Sequence, residues 1–153
     1  MVEFENASRR VHSVDVVFAG RPEQVFPLLC PVREYDWIDG WSCVMVCSDS
    51  GVAERGCVFR TRSELGDEVW TVSRYEPARA IEFVRFTAGV QMMTMDIDLT
   101  LWQEQTTKAR VRFTYTALSP AGVTAIEQAA AGDQAAWTIG PLSTLAASFV
   151  PRS

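Results

Sequence analysis

Apolar and polar residues alternate most regularly near the middle of the chain, where Met93, Met95, Ile97, Leu99 and Leu101 are separated by Thr94, Asp96, Asp98 and Thr100. A period of two sends successive side chains to opposite faces of a strand, so this run predicts a strand with one dry face and one wet face. The stretch over 108–117 repeats the scheme, with Ala109, Val111, Phe113, Tyr115 and Ala117 set against Lys108, Arg110, Arg112, Thr114 and Thr116. A short connection through Gln103, Glu104 and Gln105 joins the two runs, which makes them hairpin neighbours in an antiparallel sheet. Asp96 and Asp98 then belong to a solvent face, where Arg110 and Arg112 offer cross-strand partners.

Four further runs, over 42–48, 56–62, 68–75 and 80–87, have the same rhythm. Turn residues follow each of them: Asp49, Ser50 and Gly51, then Gly66 and Asp67, Glu76 and Pro77, and Ala88 and Gly89. A strand also precedes them over 11–18, with His12, Val14, Val16 and Phe18 on the parity that faces a core. Between this strand and the next, Gly20 and Pro22 open a helix that must be brief. Pro27 and Pro31 each remove an amide donor and disfavour helical geometry one residue earlier. Two short helices or turns through about Ile38 are expected, with Val25, Phe26, Leu28 and Leu29 as their apolar side and Gly40 as their end. Ser119 as N-cap and Pro120 at the first helical position start a closing helix. Val123, Ile126, Ala130, Trp137, Leu145 and Phe149 recur along it at helical spacing. Ala129, Ala130, Ala131 and Gly132 form a stretch of small side chains suited to close approach, and Gly140 with Pro141 predicts a kink or split.

Parity carried along each strand places Cys43, Met45 and Cys47, then Cys57, Phe59 and Thr61, on the inner face. Trp70, Val72, Ile81 and Phe83 follow, then Met93, Met95, Ile97, Val111, Phe113 and Tyr115. A hairpin centred near Val52 sets Cys47 opposite Cys57 and Met45 opposite Phe59. The four cysteines lack the paired spacing of a zinc site, so no metal is assigned. Reduced thiols are expected, acting either as small buried hydrophobes or as a redox-sensitive or soft-metal contact.

Totals narrow the picture without changing it. The 153 residues suit one domain spanning 1–153, and 48% hydrophobic with 22% charged residues is an ordinary globular balance. A net charge of −5 and a pI near 4.9 weigh against nucleic acid, whose phosphates need a basic face. No run is long and apolar enough for a membrane span. The first six residues carry acids where a signal peptide has bases, so a cytoplasmic location is the default expectation.

Candidate chemistry is sparse. His12 suits neutral-pH proton transfer but has no identifiable partner and reads equally as structural. Arg33, Glu34 and Asp36 form either a solvated helical pair or a polar rim. Trp37 and Trp41 either cover one end of the interior or anchor the short helices to the sheet.

The order strand, two short helices, six strands and a long helix resembles the helix-grip fold of the START-like, or SRPBCC, superfamily. The resemblance runs from about Val11 to Phe149. Its local marks are Ala19 to Phe26, similar to the strand-to-helix entry of that superfamily, and Leu28 to Trp37, similar to a stretch in an uncharacterised bacterial branch. It implies an α+β domain in which a curved seven-stranded antiparallel sheet wraps the last helix, with a hydrophobic cavity between them. The expected occupant is a small hydrophobic molecule, a lipid or a polyketide-like aromatic. The expected lining is Trp37, Trp41, Met45, Cys57, Phe59, Trp70, Phe83, Met93, Met95, Phe113, Tyr115 and Trp137. Alternatively, the same residues fill a core that leaves no room for a ligand. Catalytic branches of such a family should leave a histidine or buried carboxylate on inward parities, and only His12 is found there. No catalytic residue and no cofactor is therefore assigned. A cyclase or dehydratase activity and a protein-interaction module of the chaperone-activator type remain as alternatives, and a homodimer is left open.

Overall fold

The computed structural model describes residues 8–33 and 42–138. Within them the alternating runs form seven strands: β1 (Arg9–Ala19), β2 (Val44–Cys47), β3 (Val58–Ser63), β4 (Gly66–Glu76), β5 (Ala80–Thr87), β6 (Gln91–Leu101) and β7 (Thr106–Ala117). They make one sheet in the order β1-β7-β6-β5-β4-β3-β2. Every pair from β2 to β7 is a chain neighbour, and β1 closes the sheet by pairing antiparallel with β7. Between β1 and β2 the chain makes a four-residue helix, α1 (Pro22–Val25), and one 3-10 turn (Phe26–Leu29). The brevity has the expected cause, since Pro27 lies in the second element and cannot donate. The Gln24 side chain accepts the Arg21 N–H at 2.9 Å and so satisfies the entry to α1. Gly40, Gly140, Pro141, Leu145 and Phe149 lie outside the described residues.

Parity is kept almost throughout. Val14, Val16 and Phe18 are buried, as are Ile81 and Phe83, Met93 to Ile97 at every second position, and Val111, Phe113 and Tyr115. Two bulges break it. In β4 the register shifts between Val72 and Arg74, which brings Tyr75 opposite Ile81 and onto the ring of Phe26, 5.3 Å away and edge-on. In β2 it shifts between Met45 and Cys47. Met45 therefore faces Phe59 as expected, but Cys47 pairs with Val58 rather than Cys57 and is exposed. One extra residue in an edge strand is enough to turn a side chain from one face to the other.

The closing helix, α2 (Pro120–Thr138), lies against β7 and β1. Ser119 caps it as the sequence requires: its hydroxyl accepts the Gly122 N–H at 3.1 Å and donates to the Gly89 carbonyl at 2.6 Å. The buried stripe runs through Gly122, Ile126, Ala130 and Trp137, while Val123, one step off that line, is exposed. Close approach occurs at Gly122 rather than at Gly132. A Cβ on Gly122 would sit 1.9 Å from the Val90 carbonyl oxygen, whereas one on Gly132 would meet nothing within 4 Å. That carbonyl is held in place by the Leu118 N–H at 2.8 Å, so the backbone has little freedom to yield. Gly122→Ala should destabilise the protein by about 3 kcal/mol or prevent folding, measured by denaturant unfolding.

The opposite face of the sheet is wet and charged. Asp96 faces Arg112 and Asp98 faces Arg110 across β6 and β7, and Arg110 reaches Asp15 of β1 at 3.3 Å. Asp96 also sits opposite Glu82 of β5. Partial burial, then the hydrogen bond and negative charge of Glu82, push the Asp96 carboxyl up to about 7, while Glu82 is held low. A carboxyl raised on folding stabilises the protein while protonated, below its unfolded value, and loses that contribution as pH rises through the folded value. Asp96→Asn should therefore raise the melting temperature at pH above about 7. The advantage should shrink towards acid pH, and thermal melts across that range check it.

Candidate ligand-binding site

Three adjacent cross-strand rows build the inner face. The first runs Phe59, Trp70, Arg85, Met93, Tyr115 from β3 to β7, each residue opposite the next. On one side of it lies Val72, Phe83, Met95, Phe113, His12, and on the other Thr61, Glu68, Thr87, Gln91, Ala117. The aromatic end of the central row is ordered by ring contacts. Phe59 and Trp70 stack with centroids 5.4 Å apart, and Phe83 stands edge-on to both at 6.2 Å. Such offset and edge arrangements are the favoured geometries of aromatic pairs.

Between this face and α2 is a cavity of about 700 Å³. Phe59, Trp70, Phe83 and Met95 of the sheet and Trp137 of α2 lie on its wall, with Cys43 near β2. Ala129, Gly132 and Ala136 form the helix side, where short side chains leave space that larger ones would occupy. The other expected lining residues are placed differently. Cys57, Met93, Phe113 and Tyr115 are buried in the core but do not line the cavity. Met45 is half-buried against the core, opposite Phe59. Trp37 and Trp41, together with Glu34 and Asp36, lie outside the described residues.

The polar content of the cavity is larger than parity reasoning over the apolar residues expected. Glu68 and Arg85 line its wall with side chains only 7% and 6% exposed, and Asp133 of α2 joins them at 19%. Arg85 donates from Nη1 and Nη2 to the two oxygens of Asp133 at 2.8 and 3.0 Å, a bidentate pair, and its Nε lies 3.2 Å from Glu68. Its guanidinium also lies 5.2 Å from the Trp70 ring centre. Tyr115 donates its hydroxyl to Asp133 at 2.7 Å. Thr61 and Thr87 each donate to Glu68 at 3.2 Å, and the Trp70 indole N–H donates to Thr61 at 2.8 Å. Burial opposes the Arg85 charge, yet the Asp133 and Glu68 carboxylates outweigh it and hold the guanidinium above its ordinary value. Burial, and then Asp133, push the Tyr115 phenol up, so it stays a neutral donor. Gln91, fully buried in the neighbouring row, has neither amide atom hydrogen-bonded.

The signal for this cluster was present in the sequence. Glu68 shares parity with Trp70 and Val72, and Arg85 with Ile81 and Phe83. Reading inward parity for apolar residues alone missed them, so the expectation that His12 was the only inward group of its kind is corrected. His12 itself packs on Phe113 and Tyr115, with centroids 5.0 and 5.8 Å away, and does not line the cavity. The cysteines form no disulfide among the described residues. Cys30 accepts the Ala53 N–H at 3.2 Å, and burial pushes the Cys57 thiol up, away from the reactive thiolate.

No family model and no curated protein matches the chain. Solved structures do. Norcoclaurine synthase from Thalictrum flavum superposes with a TM-score of 0.71 at 12% identity, over 97% of this chain and 100% of that one. Mll3558 from Rhizobium loti gives 0.66 at 14% identity, over 94% and 99%. DynU16, from the dynemicin biosynthetic locus, gives 0.61 at 19% identity, over 92% of this chain and 48% of that one. The chain has the helix-grip fold. At these identities the likeness is one of fold, and in this helix-grip chain the site is defined by its own residues.

The buried cluster sets a stability test. Replacing Arg85 with methionine leaves the buried Glu68 carboxylate and the Asp133 carboxylate without their shared counter-charge. Arg85→Met should cost about 3–5 kcal/mol in urea unfolding, the usual scale for breaking a buried pair from one side.

Proposed function

We propose that this protein binds a small, largely hydrophobic molecule between the sheet and α2. The observation that carries the reading is the cavity of about 700 Å³ walled by Phe59, Trp70, Phe83, Met95 and Trp137. Its volume falls in the range of sites for small organic ligands. Aromatic faces and a methionine thioether accept flat or flexible apolar bodies without demanding one shape. A lipid chain or a polyketide-like aromatic meets these requirements. The similarity of fold to DynU16, from a biosynthetic locus, is in keeping with the second.

A cyclase or dehydratase activity on the same ligand is the second reading, favoured by one observation. Glu68, Arg85 and Asp133 are carboxylates and a guanidinium on a cavity wall rather than on the surface. Such groups can orient a substrate and move a proton within a dry site. His12 has no part in this version, because it is off the wall.

Protein taken from a cell lysate and examined by native mass spectrometry should carry a bound mass that organic extraction releases as a small apolar compound. Repeated recovery of bare protein, combined with no affinity for any hydrophobic probe, would refute the binding reading.

A further inference from the structure

The charges on the cavity wall restrict the chemistry of its occupant. Glu68 and Asp133 are two carboxylates sharing one guanidinium, so the cluster carries an excess negative charge. The hydrogen bonds are distributed to match. Arg85 donates from Nη1 and Nη2 to Asp133, its Nε lies 3.2 Å from Glu68 as an ion pair without a hydrogen bond, and one face of its guanidinium lies over Trp70. Its charge is thus flanked by two carboxylates. Glu68 has three neighbours, Thr61, Thr87 and Arg85, and Asp133 has two bonds from Arg85 and one from Tyr115. A carboxylate offers about four acceptor positions, so each keeps room for one more donor. The remaining charged residues on the wall, Arg60, Arg62, Glu64 and Asp67 of the β3–β4 hairpin, balance one another, with Arg62 and Asp67 paired at 2.9 Å. They do not cancel the excess at the cluster.

We propose that the cavity selects a protonated amine carried on an aromatic or other apolar body. The nitrogen donates to Glu68 and Asp133, while the body lies among Phe59, Trp70, Phe83 and Trp137. This deepens the binding reading above and rests on it. In a wall of low polarity the excess charge acts over a longer range than in water, attracting a cation and repelling a carboxylate or phosphate head group. The aromatic faces add to the attraction for a cation. A fatty acid with its carboxylate inward is disfavoured by the same argument. An ammonium group gains charge-assisted hydrogen bonds that an alcohol of equal size forms only weakly.

Three probes of matched size separate the cases: naphthylethylamine, naphthylethanol and naphthylacetate, each titrated calorimetrically into the full chain at neutral pH. The amine should bind about tenfold or more tightly than the alcohol, and the acid most weakly. In Asp133→Asn the gap between amine and alcohol should close while the alcohol is held about as before. Should that variant fail to fold, Glu68→Gln provides the same comparison. Equal affinities, or a preference for the acid, would overturn the amine assignment and leave the binding reading intact. Failure of all three probes to bind would overturn it too, with the native mass measurement deciding separately whether the cavity holds any ligand.

Discussion

The structure depends on one ionic contact across its middle. Arg85 stands on β5 with its side chain 6% exposed, and Asp133 reaches it from α2. A charge so poorly hydrated has no stable place in an apolar interior unless it is paired and hydrogen-bonded. The fold meets that condition by placing Glu68 on the neighbouring strand, Asp133 on the helix and Trp70 beneath the guanidinium. The sheet and helix are thereby held in one relative position by directional bonds. Apolar packing alone, being non-directional, would fix that position less sharply.

The strands were legible because the sheet is wet on one face. Alternation in 93–101 and 108–117 reports which side each residue faces, and the short connections make neighbours in sequence neighbours in space. Hence the Asp96–Arg112 and Asp98–Arg110 pairings follow from the pattern itself. The bulges were not legible. Nothing in the composition near Cys47 or Ser73 marks an inserted residue, and each displaces every later side chain of its strand to the other face. The helix start was readable from Ser119 and Pro120. The close contact at Gly122 was not, because it depends on where the Val90 carbonyl is placed by a different hairpin.

The site was half legible for a related reason. Five of the expected lining residues, Phe59, Trp70, Phe83, Met95 and Trp137, share the cavity wall, because inward parity and helical spacing place them on the inner face of the sheet or helix. Inward parity alone does not tell a cavity wall from filled core, which is why Met93 and Phe113 fall on the same face yet away from the space. The polar cluster required a further inference, that an ionisable residue on inward parity must have partners. Glu68 and Arg85 are diagonal neighbours on adjoining strands, Arg85 standing two residues before Thr87, the partner of Glu68, and only the tertiary fold brings Asp133 to them from α2.

Gly122 and Asp133 together limit how this helix can respond to what lies beneath it. At Gly122 the backbone touches the Val90 loop, and eleven residues further on Asp133 is fastened to β5. A rod pinned at two points cannot pivot or lift without breaking one of them. On the binding reading proposed above, differences in guest size fall to the side chain of Met95 and to the β3–β4 tip, which a hydrogen bond of 2.7 Å between Gln128 and Glu64 ties to the helix. On that reading, the breadth of guests is set by one wall side chain and one hairpin, with the two pins holding the helix to the sheet.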